Sequence, residues 1–103
     1  MKVKLSKRFQ NEFNSVVDYI LDNFGASSAK EFTDSVKIRI SWIAENPLVG
    51  RCEPLLSNRK IEYRCLIVSK HNKVIYYTGG STIHIVDLWD MRRNPKTLIK
   101  RVK

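Results

Sequence analysis

Three strand-like runs dominate the second half of the chain and limit the folds that it can adopt. Residues 60–69 (KIEYRCLIVS), 73–78 (KVIYYT) and 82–89 (TIHIVDLW) are rich in β-branched and aromatic residues. Short connections at His71-Asn72 and Gly79-Gly80 separate the runs. Connections this short join antiparallel neighbours, because a parallel pair needs a long crossover. The sequence therefore predicts a three-stranded antiparallel meander.

The first half begins with a short strand and a helix. Residues 2–5 alternate Lys-Val-Lys-Leu, which predicts a strand with one apolar face. Between residues 7 and 24, apolar residues recur at three- and four-residue steps, which predicts an amphipathic helix. Ser6 is suited to cap its N-terminus, and Gly25 fits the position just past its end.

A second amphipathic helix follows directly. Ser28 and Glu31 have the spacing of a capping box, and Asn46-Pro47 marks the end, because a residue before proline disfavours helical geometry. The link between the two helices is short, so we expect an antiparallel hairpin. This hairpin must bury its apolar stripes against one face of the meander.

The remaining segments are a loop and a short terminal helix. Residues 47–58 mix prolines, a glycine and scattered apolar residues, which predicts an anchored loop. Asn94-Pro95 starts a short basic C-terminal helix. The expected fold is a single α+β domain over residues 1–103, with the second sheet face open unless the loop and tail cover part of it.

Positive charge is concentrated in the second half of the chain. Residues 1–50 contain seven Lys/Arg and six Asp/Glu, whereas residues 51–103 contain twelve against four, so this half carries a net charge of +8 out of the total of +9. One-sided basicity of this kind indicates a polyanionic partner such as nucleic acid or an acidic protein.

Several other classes of protein are disfavoured. No apolar run approaches the roughly 20 residues that span a bilayer, and the N-terminus lacks the apolar core of a signal peptide, so we expect a cytoplasmic protein without membrane contact. Cys52 and Cys65 form neither a disulfide framework nor a metal-binding spacing. Asp87 and Asp90 fall on opposite faces of an extended strand. We therefore expect no metal and no other cofactor.

The chain resembles the RelE/ParE superfamily of bacterial type II toxins. The resemblance rests on motifs in a fixed order: Phe24-Gly25, Asn46-Pro47 with Gly50, Glu53-Pro54-Leu55, Tyr63-Arg64, Tyr76-Tyr77, and Trp89-Asp90-Met91-Arg92-Arg93-Asn94-Pro95. It implies a toxin that is neutralised by a cognate antitoxin, with which it can form a hetero-oligomer.

The resemblance implies two activities. RelE-like members cleave mRNA on the ribosome without metal, by attack of the ribose 2′-hydroxyl that leaves a cyclic phosphate. ParE-like members inhibit DNA gyrase. We expect the endoribonuclease first and the gyrase inhibitor as the alternative; a third possibility is a nontoxic relative that binds only an antitoxin or operator DNA.

Metal-free cleavage requires cations around the phosphorane, a base and an acid. Arginine suits the first role because its planar fork donates paired hydrogen bonds to phosphate. We expect Arg64 and one of Arg92 and Arg93 to meet on an uncovered sheet face, and Glu53 matches the position of a carboxylate in RNase members. The resemblance implies a His or Tyr near the C-terminus as the general acid, and KTLIKRVK contains neither.

Four further basic residues are candidates for contact with RNA backbone: Arg51, Arg59, Lys60 and Lys96. For each of them, and for the arginines, an ordinary solvated charge or an intramolecular ion pair is the alternative interpretation.

Overall fold

A computed structural model describes residues 1–102. The elements follow in the order β1 (Lys2–Leu5), α1 (Lys7–Phe24), α2 (Ala26–Glu45), β2 (Arg51–Cys52), a short 3-10 helix (Pro54–Leu56), β3 (Arg64–Ile67), β4 (Asn72–Gly79), β5 (Thr82–Asp90) and α3 (Pro95–Arg101). The predicted α+β class, the helical hairpin and the meander are confirmed. Within the described residues, no helix has the length and apolar character needed to cross a membrane.

The five strands form one sheet in the order β1-β5-β4-β3-β2. β1 is parallel to β5, and all other neighbours are antiparallel. The pairing of β4 with β5 shifts between Ile75 and Tyr76, whose partners are Asp87 and Ile85, so Val86 is the extra residue of a β-bulge. The bulge changes which side chains of β5 face each side of the sheet.

One side of the sheet, the helix face, packs against α1 and α2. Its buried cluster joins Phe9, Phe32 and Ile43 of the helices to Tyr76 and Ile83 of the strands. The contacts of this cluster are long-range, so they fix the hairpin against the sheet rather than merely stabilising each helix.

The other side, the opposite face, has its own smaller core. Leu56 of the 3-10 helix and Leu98 of α3 pack here on Ile75 and Trp89 of the sheet. The loop and the tail therefore cover part of this face, as the sequence allowed.

Two local predictions are wrong in detail. The second helix begins at Ala26 rather than behind a Ser28 capping box, because the chain reverses at Gly25, whose φ of 92° favours glycine. The first meander strand covers only Arg64–Ile67. The residues before it instead adjoin the 3-10 segment, with Glu53 N donating to Tyr63 O at 2.8 Å.

Candidate functional site

Arg64 lies on the helix face, at the end of the sheet near the C-terminus of α2. Its register partner is Tyr76, which belongs to the helix-face core. The guanidinium donates to Gly50 O at 2.7 Å and to Glu62 Oε1 at 2.6 Å. Gly50 itself is fixed, because its N–H donates to Tyr76 Oη at 3.0 Å. Arg64 is thus held by a carbonyl and a carboxylate of its own chain.

Arg92 lies just past the end of β5 and is paired with Asp90. The guanidinium donates through Nε and Nη2 to the two carboxylate oxygens at 3.0 and 2.7 Å. The Arg92 side-chain hydrogen bond lowers the pKa of Asp90, so this carboxylate is ionised near neutral pH. A cleft of about 570 Å³ adjoins the pair, lined by α1 residues that include Tyr19 and Phe24.

Arg93 turns toward the opposite face. Its guanidinium lies 4.8 Å from the centre of the Trp89 ring, and its Nη1 is 3.8 Å from Glu12 Oε2. Arg101 of α3 approaches the same indole at 5.5 Å and pairs with Glu12 at 3.1 Å. Arg93 and Arg101 therefore both contact the Trp89 ring and the Glu12 carboxylate beside α3.

Asp87 completes this cluster from inside the protein. Its side chain is fully buried and accepts from Arg101 Nη2 at 3.3 Å. Burial raises the pKa of Asp87 to about 6, although the neighbouring Arg101 opposes the shift. The ion pair docks the end of α3 against the sheet.

The expected convergence of the arginines is not found. Arg64 and Arg93 lie on different sides of the sheet, because Tyr76 and Trp89 belong to different cores. Arg64 lies opposite Tyr76 on β4, whereas Asp90, which holds Arg92, lies opposite Asn72. These positions are four residues apart along β4, or roughly 13 Å. The three guanidinium groups have no shared partner.

Glu53 is buried rather than presented to a cleft. Only 1% of the residue is exposed, and its Oε1 forms a salt bridge with Lys73, which is 7% exposed. Its Oε2 accepts from Leu55 N at 3.0 Å and so caps the 3-10 helix. These contacts give Glu53 a structural role, and sequence reasoning missed its partner Lys73.

The four candidates for backbone contact fall into two groups. Arg59 donates to Ile99 O and Val102 O, both at 2.7 Å, and so caps the C-terminus of α3. Arg51, Lys60 and Lys96 are exposed.

Three other exposed lysines join these cations, and sequence reasoning did not single them out. Lys2 and Lys4 point away from the helices, because Val3 between them packs on the helix-face core. On α3, Lys100 points away from the sheet, since it lies two residues from the buried Leu98.

We call the resulting surface the basic face. It consists of six exposed cations: Lys2 and Lys4 on β1, Arg51 opposite Cys65 of the opposite-face core, Lys60 beside Tyr63 of the same core, and Lys96 and Lys100 on α3. The alternation of Lys2 and Lys4 about the apolar Val3 was the signal in the sequence that could have placed both lysines on one face of the sheet.

The backbone is similar to those of several solved toxins. A structure described as a chromosomal ParDE TA system from P. aeruginosa matches with a TM-score of 0.71 at 14% identity, covering 87% of this chain and 95% of that chain. A YoeB dimer from Staphylococcus aureus gives 0.59 at 18% identity, with 84% and 92% covered. A YoeB/ParE toxin from Agrobacterium tumefaciens gives 0.60 at 13%, with 87% and 98% covered. At these identities the likeness defines the fold.

The sequence identifies the family. Residues 3–95 match the model of the ParE toxin of the type II toxin-antitoxin system parDE. No curated protein matches in a sequence comparison. The chain belongs to the ParE toxin family, within the RelE/ParE superfamily. It is a toxin of a type II toxin-antitoxin system, and membership implies an antitoxin partner.

Proposed function

We propose that this toxin inhibits DNA gyrase by binding it, with no bond-breaking chemistry of its own. The observation that carries the proposal is the separation of the candidate catalytic groups. Arg64, Arg92 and Arg93 have different partners at different places on the sheet, and a phosphorane needs its cations around one phosphate.

The state of the candidate base supports the same proposal. A general base must reach the proton that it abstracts, directly or through one water. Glu53 is enclosed and paired with Lys73, so opening it to RNA would leave a buried lysine without its partner. The C-terminal segment offers no His or Tyr to protonate the leaving oxygen. An RNA bound near the arginines would therefore meet cations, but neither a general base nor a general acid.

One observation favours the endoribonuclease as a second candidate. The Arg64 side chain is 21% exposed, whereas that of its partner Glu62 is 63% exposed. Surface ion pairs are worth about 0–1 kcal/mol, so an incoming phosphate could displace Glu62 from an arginine that Gly50 O already orients. In this reading Arg64 is the main cation, Arg92 or Arg93 reaches the phosphate after rearrangement, and Glu53 leaves its ion pair to act as base.

A two-arm assay tests the choice. The purified toxin is incubated with gyrase and supercoiled plasmid, and separately with ribosomes programmed with mRNA. Gyrase inhibition with accumulated double-strand breaks, and intact mRNA, is the expected result. New site-specific mRNA ends together with unaffected gyrase would overturn the proposal in favour of the second candidate.

A matched pair of substitutions sharpens the second arm. Glu62→Gln removes the carboxylate that competes for Arg64, and Asp90→Asn does the same for Arg92. If the toxin is an endoribonuclease, the first substitution should increase mRNA cleavage, because Arg64 becomes free for phosphate. Under the gyrase proposal neither variant cleaves mRNA.

A further inference from the structure

No carboxylate neutralises the positive charge of the basic face within the described residues. All four acids of residues 51–102 are in salt bridges: Glu53 with Lys73, Glu62 with Arg64, Asp87 with Arg101, and Asp90 with Arg92. Within the described part of the chain, none of the six cations of the basic face takes part in a salt bridge. Each is free to meet an external anion.

The unpaired acids lie elsewhere. Asp18, Asp22, Glu31 and Glu45 are exposed, are absent from the ion pairs of residues 1–102, and all belong to α1 or α2. The helices also carry cations outside the salt bridges of the described residues, among them Lys7 and Lys37, whereas the elements that bear the basic face hold no unpaired carboxylate. A polyanion would therefore be attracted most strongly to the basic face, where no free carboxylate opposes it.

We propose that the basic face is a binding surface for the phosphate backbone of duplex DNA. This goes beyond gyrase inhibition, because it assigns a ligand to the isolated toxin. It also supplies a way for the toxin to engage a gyrase molecule that already holds DNA.

The extent of the surface fits a duplex. Lys4 is on β1 and Arg51 on β2, at the two edges of the five-stranded sheet. Four spacings of about 4.8 Å separate these strands, so the cations span roughly 19 Å across the sheet. A duplex carries one phosphate charge per about 1.7 Å of its axis, which provides enough phosphates for the six cations.

Single-stranded nucleic acid fits less well. Proteins that bind it offer free aromatic faces on which bases stack. The aromatic rings of this face are occupied with one another: Tyr77 stacks on His84 at 4.6 Å, and Tyr63 packs edge-on to Tyr77 at 5.5 Å. The basic face therefore recognises nucleic acid mainly through the charge of its phosphates.

The composition of the surface predicts binding without sequence preference. Five of the six cations are lysines, which act as point charges on phosphate, whereas base reading relies on bidentate side chains such as arginine, asparagine and glutamine. Affinity should therefore be governed by counterion release.

The test is the salt dependence of binding between purified toxin and a fluorescent duplex of random sequence. With about six phosphates contacted, log K should fall with log[salt] at a slope of about −5. Lys4→Gln/Lys100→Gln should reduce the magnitude of that slope by about 2 and weaken binding at 0.1 M salt by roughly 50-fold. The matched control, Lys30→Gln/Lys37→Gln on α2, removes the same charge from the helical side and should leave binding within about 2-fold.

Three results would overturn the proposal: no binding at low salt, equal losses in the two double variants, or a single strand of the same sequence binding as tightly as the duplex. All substituted side chains are exposed, and circular dichroism checks that both variants are folded. Since gyrase is absent from the assay, failure here leaves gyrase inhibition standing, and the reverse also holds.

Discussion

The buried ion pair between Glu53 and Lys73 gives the sharpest prediction about a candidate catalytic residue. Glu53→Gln removes the charge but retains an oxygen that can accept from Leu55 N, the hydrogen bond of 3.0 Å that caps the 3-10 helix. The substitution therefore isolates the effect of leaving Lys73, which is 7% exposed, without its counter-charge. A structural role predicts loss of stability, whereas a catalytic role predicts loss of activity in a stable protein.

The expected loss follows from the burial of both groups. Removing one partner of a buried ion pair costs about 3–5 kcal/mol, a large part of the roughly 5–15 kcal/mol that stabilises a domain of this size. With a urea dependence of about 2 kcal/mol per molar, the unfolding midpoint should fall by about 2 M. Glu53→Gln/Lys73→Met removes both charges and should recover most of the loss.

Urea unfolding followed by tryptophan fluorescence measures these differences. The exposed pair of Lys30 and Asp34, 2.7 Å apart, provides the control: Asp34→Asn should change stability by less than about 1 kcal/mol. A structural role for the ion pair is ruled out if Glu53→Gln also costs less than about 1 kcal/mol, or if the double variant is no more stable than Glu53→Gln alone.

Three further predictions concern stability. Arg59→Met removes the cap from α3 and should lower the unfolding free energy by about 1–3 kcal/mol and speed hydrogen exchange in that helix, whereas the neighbouring Lys60→Met should do neither. Burial raises the pKa of Asp87 from 3.8 to about 6, so the folded state binds more protons than the unfolded state between these pH values. The carboxyl group therefore contributes about 3 kcal/mol of stability at low pH, and this contribution is lost as pH rises toward 6. Urea titrations at several pH values should show this decrease in the wild type and not in Asp87→Asn. Tyr76→Phe deprives Gly50 N of its acceptor and should cost about 1–3 kcal/mol, measured by thermal unfolding; an unchanged melting temperature would contradict the hydrogen bond.

Local signals in the sequence predicted most of the elements. Ser6 caps α1, with its hydroxyl accepting from Phe9 N at 3.0 Å, and Asn94 caps α3 by accepting from Lys96 N at 3.0 Å. Both signals act within a few residues of the element that they start. The capping box at Ser28 failed because the chain reverses at Gly25, so that α2 already begins at Ala26.

The positions of the arginines could not be predicted in the same way. Alternation along a strand indicates that neighbours face opposite sides, but it does not say which side the helices cover. Arg64 faces the helices because it lies opposite Tyr76, whose side chain belongs to the helix-face core. The bulge at Val86 reverses which residues of β5 face each side of the sheet before the chain reaches Arg92 and Arg93.

The ion pairs that define the site are also non-local. Glu53 and Lys73 are far apart in sequence, and so are Glu12 and Arg101. Neither residue type nor spacing indicates these pairings, because they depend on how the loop and α3 lie on the sheet. Composition did predict an uneven charge distribution, and the structure places six exposed cations on the basic face, away from the free carboxylates of α1 and α2.

We propose that toxicity depends on binding to gyrase and not on an arginine-assisted cleavage. The most direct measurement is inhibition of gyrase-catalysed supercoiling by Arg64→Met, which retains the aliphatic stem but removes the guanidinium, with the fold checked by circular dichroism. We expect a half-inhibitory concentration within about 2-fold of the wild-type value, because only a cleavage reaction would use the Arg64 guanidinium to stabilise its transition state. Wild-type toxin that leaves supercoiling untouched while cutting mRNA, with that cleavage abolished in Arg64→Met, would contradict it.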